Sequence, residues 1–108
     1  MRLLLDECVP RPLLRDLTKY DAHHVVDVGW SSKRNGELLK LMRAQGFDTM
    51  LTVDQNLPFQ QNLQASGVGI VIIIARTTRV EELRLLMPQV RDALDAVKPG
   101  QVIGVGGP

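Results

Sequence analysis

The sequence predicts an α/β fold: a three-layer α/β/α sandwich around a central, mostly parallel, five-stranded sheet. Three observations predict it. Short β-branched or apolar runs alternate with helical patterns along the chain, in the order βαβαβαβαβ. The run at 69–75, Gly-Ile-Val-Ile-Ile-Ile-Ala, is apolar on both faces, as a strand in the middle of a covered sheet must be. Nothing repeats at a solenoid period. A chain of 108 residues has room for one domain, assigned to 1–105, with 106–108 as a frayed end.

The elements follow in order. Residues 2–5 form a first strand. Pro10 and Pro12 suit the first turn of a helix whose apolar face is Leu13, Leu14 and Leu17. Residues 23–28 read as a second strand ended by Gly29. Asn35 is an N-cap for the next helix, with Leu38, Leu39, Leu41 and Met42 as its buried stripe and Gly46 as the C′ residue. Residues 49–53 form a third strand, and Asn56 and Pro58 open a short helix carrying Phe59 and Leu63. After the strand at 69–75, Thr78 and Glu81 form a capping box. The helix it starts repeats Val80, Leu83, Met87, Val90, Leu94 and Val97 at helical spacing, and Pro88 must kink or split it. Pro99-Gly100 is a turn before a last strand at 101–105.

Composition removes several function classes. Thirteen Lys+Arg against twelve Asp+Glu give a net charge of +1, so bulk charge cannot hold a nucleic acid. The single cysteine, Cys8, excludes an intramolecular disulfide framework and a multi-cysteine zinc site, and points to a reducing compartment. The N-terminal apolar run is too short for a signal peptide, and the run at 68–75 is too short to cross a bilayer as a helix. A soluble cytoplasmic domain with no membrane partner is expected.

Strands joined by helices run parallel, and such sheets bind ligands beyond the carboxyl ends of their strands. Asp6, Glu7 and Cys8 follow strand 1, and Asp54, Gln55 and Asn56 follow strand 3. In the order 2-1-3-4-5 these strands are neighbours, so Asp6 and Asp54 face each other. Facing carboxylates repel unless a proton or a cation lies between them. Hard cations such as Mg²⁺ take oxygen ligands and keep several waters, and such sites cleave phosphodiesters. The alternative for each Asp is a helix cap, and for Glu37 a partner for the helix dipole. Glu7 reads as solvent-facing, Cys8 as a small buried side chain, and the adjacent His23 and His24 as facing opposite sides of a strand. Arg11, Lys33, Arg34, Arg76 and Arg79 fall at this same end, where they read either as a rim for substrate phosphates or as ordinary solvated charge.

Leu3-Leu4-Leu5-Asp6-Glu7, then Asn35-Gly36-Glu37-Leu38-Leu39, then Leu51-Thr52-Val53-Asp54-Gln55-Asn56-Leu57 resembles the PIN-like nuclease superfamily, in its short, single-domain, VapC-toxin-like branch. The resemblance covers nearly the whole chain. It implies a Mg²⁺- or Mn²⁺-dependent ribonuclease. Asp6, Glu37 and Asp54 match the catalytic, metal-holding acidic positions. Asn56 falls where many relatives carry a further Asp, so this chain has one carboxylate fewer there, and the resemblance implies that Asn56 helps hold the metal, directly or through water. A small antitoxin protein and a homodimer are the partners the resemblance implies. Two other readings compete: a catalytically inactive PIN-like module that binds RNA or protein, and a receiver-like phosphoacceptor built on Asp6, Glu7, Asp54 and Thr77. The receiver also needs a Lys-Pro after strand 5, whereas Lys98-Pro99 precedes it.

Overall fold

The fold grows from four hydrogen-bonded strand pairings, all parallel, in the order β2-β1-β3-β4-β5. A computed structural model describes residues 1–33, 35–56 and 66–107. The strands are β1 (Arg2–Leu5), β2 (Asp21–His24), β3 (Thr49–Thr52), β4 (Gly69–Ile74) and β5 (Val102–Gly106). The expected strand order and fold class are therefore present, and the sheet is wholly parallel. Among the described residues no helix is long and apolar enough to cross a membrane.

Alternation along the strands divides the core in two. Leu3, Leu5, Leu51, Val71 and Ile73 point to one face. There they meet Leu13 and Leu17 of a 3₁₀ helix (Arg11–Leu17), Leu83 of α2 (Val80–Leu85) and Val90 and Leu94 of α3 (Met87–Ala96). Leu4, Met50, Ile70 and Ile72 point to the other face and meet Leu38, Leu39 and Met42 of α1 (Asn35–Ala44). Helices thus cover both faces, which makes three layers. Each fully buried Leu or Ile contributes about 1.5–3 kcal/mol relative to exposure.

Several boundaries differ from expectation, each for a physical reason. The N-terminal helix is a 3₁₀ helix with Pro12 in its first turn and no side-chain cap. β2 lies at 21–24 instead of 23–28, because its only partner, β1, ends at Leu5, level with His24. The Val25 N–H still reaches the Leu5 carbonyl at 2.9 Å, after which Asp27 and Val28 N–H both turn back to the His24 carbonyl. α1 takes in Asn35 as its first residue, which moves the cap position one residue earlier, outside the described residues. Gly46 does end the helix, at φ +79°. Phe47 N–H bonds the Met42 carbonyl and Gly46 N–H the Arg43 carbonyl, which is a Schellman motif.

The expected capping box at Thr78 is not formed. Arg79 occupies the N-cap of α2 without a side-chain bond, and the Thr77 hydroxyl instead accepts the Arg79 N–H at 3.1 Å. Pro88 splits the C-terminal helical run into α2 and α3, joined at Leu86. Gly106 belongs to β5 rather than to a frayed end. Its φ is +89°, and a Cβ there would stand 2.7 Å from the Ile74 carbonyl oxygen. The short helix expected around Pro58, Phe59 and Leu63 lies outside the described residues.

Candidate active site

β1 and β3 are adjacent, with Leu5 level with Leu51. The next residue, Asp6, continues the ladder by donating its N–H to the Leu51 carbonyl at 2.9 Å. This sets Asp6 level with Thr52, at the carboxyl end of β3. Asp54 follows two residues later, just beyond the end of β3. The Thr52 hydroxyl donates to Asp6 Oδ2 at 2.7 Å and accepts the Asp54 N–H at 3.0 Å. Thr52 is fully buried. Asp6 Oδ1 accepts the Glu7 N–H at 2.8 Å, so neither oxygen of Asp6 is left without a donor.

Asp6 and Asp54 both line a cleft of about 500 Å³ at this end of the sheet. Glu7, Cys8, Trp30, Ser32 and Lys33 line it with them, and Val25 and Leu38 give it an apolar flank. Three carboxylates thus face one ammonium among the described lining residues. Such a cleft repels a polyanion until a cation enters it.

Glu7 is the residue the sequence undervalued. It is not merely solvent-facing: its Oε1 accepts the Ser32 N–H at 2.7 Å and so ties β1 to the loop after β2. Ser32 has φ +65°, and no other non-glycine residue among those described has a positive φ. Cys8 is exposed rather than buried. Its Sγ lies 3.6 Å from Asp6 Oδ2 and 3.5 Å from Thr52 Oγ1. Partial burial pushes the thiol up from its ordinary value, the Thr52 hydrogen bond pulls it down, and the Asp6 charge adds to the rise. The thiol form is therefore favoured over the thiolate that nucleophilic chemistry needs.

The other predicted residues stand elsewhere. Glu37 is in the first turn of α1, outside the lining of the cleft, and its Oε1 pairs with Lys33 Nζ at 3.3 Å. Asn56 is a turn residue beyond the cleft lining, and its N–H bonds Asp54 Oδ1 at 2.9 Å. Arg11 is turned to Asp27, with contacts of 2.6 and 3.3 Å. Arg79 lies 4.0 Å from Glu81. Arg76 lines a separate hollow with Gln55 and Gly107. Arg34 lies outside the described residues. Of the expected basic rim, Lys33 alone is placed in the cleft wall among the described residues. Lys98 and Pro99 line a hollow with Met1, Asp48 and Thr49, at the amino ends of β1 and β3. The lysine that a receiver requires is thus at the far end of the sheet.

His24, 2 % exposed, is a structural residue behind the cleft. Its Nε2 donates to the Val9 carbonyl at 2.7 Å, and its Nδ1 accepts the Val26 N–H at 3.1 Å. The N–H and the carbonyl have fixed roles, so the ring carries its hydrogen on Nε2.

The donor set bears on a metal. Mg²⁺ and Mn²⁺ accept one or two carboxylates and keep several waters. Asp54 Oδ2 has no hydrogen-bond donor among the described residues, which leaves an acceptor available in the cleft. No group of three or more His, Cys, Asp or Glu side chains among the described residues gathers closely enough to hold a metal ion. The residues fit a water-rich hard cation held by Asp6 and Asp54, and do not fit a fully protein-ligated metal.

Comparison with known proteins gives no match: no family model, no curated protein and no solved structure is significantly similar to the chain.

Proposed function

We propose that the chain is a divalent-metal-dependent ribonuclease of PIN-like type, with Asp6 and Asp54 as its metal-holding pair. One observation carries the reading: the carboxylates that follow two adjacent parallel strands line one cleft, and the buried Thr52 hydroxyl bonds both the Asp6 carboxylate and the Asp54 backbone N–H. The resemblance of the Asp6, Glu37 and Asp54 motifs supports it. So does the acidity of the cleft, which calls for a cation before a phosphate can enter.

When bound, Mg²⁺ or Mn²⁺ supplies a water of lowered pKa and positive charge against the scissile phosphate. Asp6 and Asp54 hold that charge. Thr52 keeps Asp6 oriented, and Lys33 draws a flanking phosphate. Glu37, paired with Lys33, sets where that ammonium stands. An antitoxin and a homodimer remain part of the proposal on the strength of the resemblance alone.

The test is Mn²⁺ titration followed by thermal unfolding, for the wild type and Asp54→Asn, with an RNA cleavage assay alongside. Stabilisation by Mn²⁺ that the variant loses, together with Mn²⁺-dependent cleavage, supports the proposal. Stabilisation without cleavage of any RNA points to the inactive binding module. Equal Mn²⁺ response in both proteins removes the metal from Asp54 and ends the reading.

A further inference from the structure

Trp30 is the chain's single tryptophan, it stands in the wall of the acidic cleft, and the metal chemistry makes no use of it. Its place is well fixed. Its N–H donates to the Val25 carbonyl at 3.0 Å, and its own carbonyl accepts the Lys33 N–H at 3.4 Å. The indole meets the buried Phe47 ring edge to face, with centroids 5.7 Å apart. Two residues on, Ser32 is held in the left-handed region by the bond from its N–H to Glu7. The loop that carries Trp30 and Lys33 is thereby fastened to the segment that carries Asp6.

The cleft has two kinds of wall. Asp6 and Asp54 are polar and suit a cation-bridged phosphate. Trp30, Val25 and Leu38 are apolar, and the partly buried Trp30, packed against the Leu38 and Phe47 side of the core, adds an aromatic residue to the lining of the same 500 Å³. A nucleotide has the same division, a charged phosphate joined to a flat base. Aromatic stacking requires a base with a free face, which a single strand offers and a duplex does not.

We propose that Trp30 is a nucleobase-stacking subsite of this cleft, with Lys33 on the adjoining phosphate and Glu7 as the positioning residue for their loop. The proposal rests on the cleft being a phosphodiester site, and it adds what that site recognises: an unpaired base, with little preference for which base.

The single tryptophan supplies its own readout. Asp54→Asn and the wild type are titrated in Mg²⁺ with a short oligo(A) strand, the same strand annealed to its complement, and an abasic strand of equal length. Trp30 fluorescence and the anisotropy of an end-labelled strand are recorded together. Saturable quenching by oligo(A) is expected, with little from the duplex or the abasic strand. Trp30→Ala weakens oligo(A) binding about tenfold or more and leaves the abasic strand unchanged, and Trp30→Phe stays within about threefold of the wild type. Should Trp30→Ala fail to fold, as its contact with Phe47 allows, Trp30→Phe and the wild-type quenching decide. Binding without quenching, or equal losses for oligo(A) and abasic strands, overturns the subsite. RNA cleavage by the wild type without quenching leaves the nuclease standing and the subsite refuted. Quenching without cleavage by the wild type does the reverse.

Discussion

The Thr52 hydroxyl hydrogen-bonds Asp6 Oδ2 at 2.7 Å, which joins the ends of two adjacent strands at the candidate site. The Thr52 hydroxyl oxygen also accepts the Asp54 N–H, so one buried atom bonds both acidic residues. Valine has nearly the same shape but can neither donate nor accept. Thr52→Val therefore leaves the Asp54 N–H and one Asp6 oxygen short of a partner. A loss of about 1–3 kcal/mol is expected from urea unfolding, with a weaker Mn²⁺ stabilisation, while Thr52→Ser retains most of both. Thr52→Val with wild-type stability and metal response would show that the hydroxyl orients neither carboxylate.

Carboxylates that line the cleft are expected to outweigh the one that does not. Asp6→Asn removes charge from the cleft floor, whereas Glu37→Gln removes the partner of Lys33 at its margin. The expected order of loss in Mn²⁺-dependent stabilisation and cleavage is Asp6→Asn first, by about a hundredfold or more in rate, then Glu37→Gln, by less than about tenfold. These correspond to about 2.7 and 1.4 kcal/mol of transition-state stabilisation. A Glu37→Gln loss as large as that of Asp6→Asn would place Glu37 on the metal.

The parallel sheet was legible because it needs only periodicity and topology, whereas the order β2-β1-β3-β4-β5, which brings Asp6 to the end of β3, had to be assumed from sheets of this class. Alternating strands and helices make the sheet parallel, and ligand sites of such sheets lie beyond the carboxyl ends of their strands. What stayed illegible depends on where partners stop. Val25, Val26 and Val28 have strand propensity, but β1 offers no backbone beyond Leu5 and Asp6, so this segment turns and becomes the cleft wall. The role of Glu7 depends on that turn, since its acceptor reaches a Ser32 N–H 25 residues away. Arg11 falls at the predicted end of the sheet, yet its head group is taken up by Asp27, a pairing no spacing rule encodes. Gly106 shows the same limit in reverse. Its glycine-rich setting suggests fraying, while the close Ile74 carbonyl requires a residue without a Cβ.

Asp95 gives the fold a defined acid sensitivity. Its Oδ2 accepts from Lys19 Nζ at 2.7 Å and its Oδ1 from the Tyr20 hydroxyl at 2.8 Å. The Lys19 bond first, and then the Tyr20 bond, hold the Asp95 carboxyl below the usual carboxylate range. A carboxyl lowered by folding stabilises the folded chain above its unfolded value, near 4, and that contribution fades as pH falls through the lowered folded value. Asp21 is lowered in the same direction, chiefly by its hydrogen bond to His23. Both pairs are exposed, so the effect of each is small. Asp95→Asn is expected to flatten the acid side of the stability–pH curve below about pH 4 and to leave its slope at neutral pH unchanged. NMR titration gives the direct check, and an Asp95 carboxyl titrating at or above the ordinary value would remove this source of acid sensitivity.

His24 links the wall of the cleft to its floor. The Val9 carbonyl belongs to the segment that follows Asp6, Glu7 and Cys8, and the Val26 N–H opens the loop that leads to Trp30 and Ser32. One buried ring therefore satisfies a polar group on each of these two segments. His24→Phe keeps a ring of similar size and leaves both groups without their partner. The Val9 carbonyl belongs to a buried residue and the Val26 N–H to an exposed one, so one buried group is left unmade and the expected loss is about 1–3 kcal/mol in urea unfolding. His24→Asn is shorter but carries both a donor and an acceptor, and is expected to lose less than His24→Phe. Because the loop is also held through Glu7 and Ser32, hydrogen exchange at the Val26 N–H should rise before exchange at the Ser32 N–H does. Equal protection of Val26 in His24→Phe and the wild type would mean that the histidine does not hold the loop.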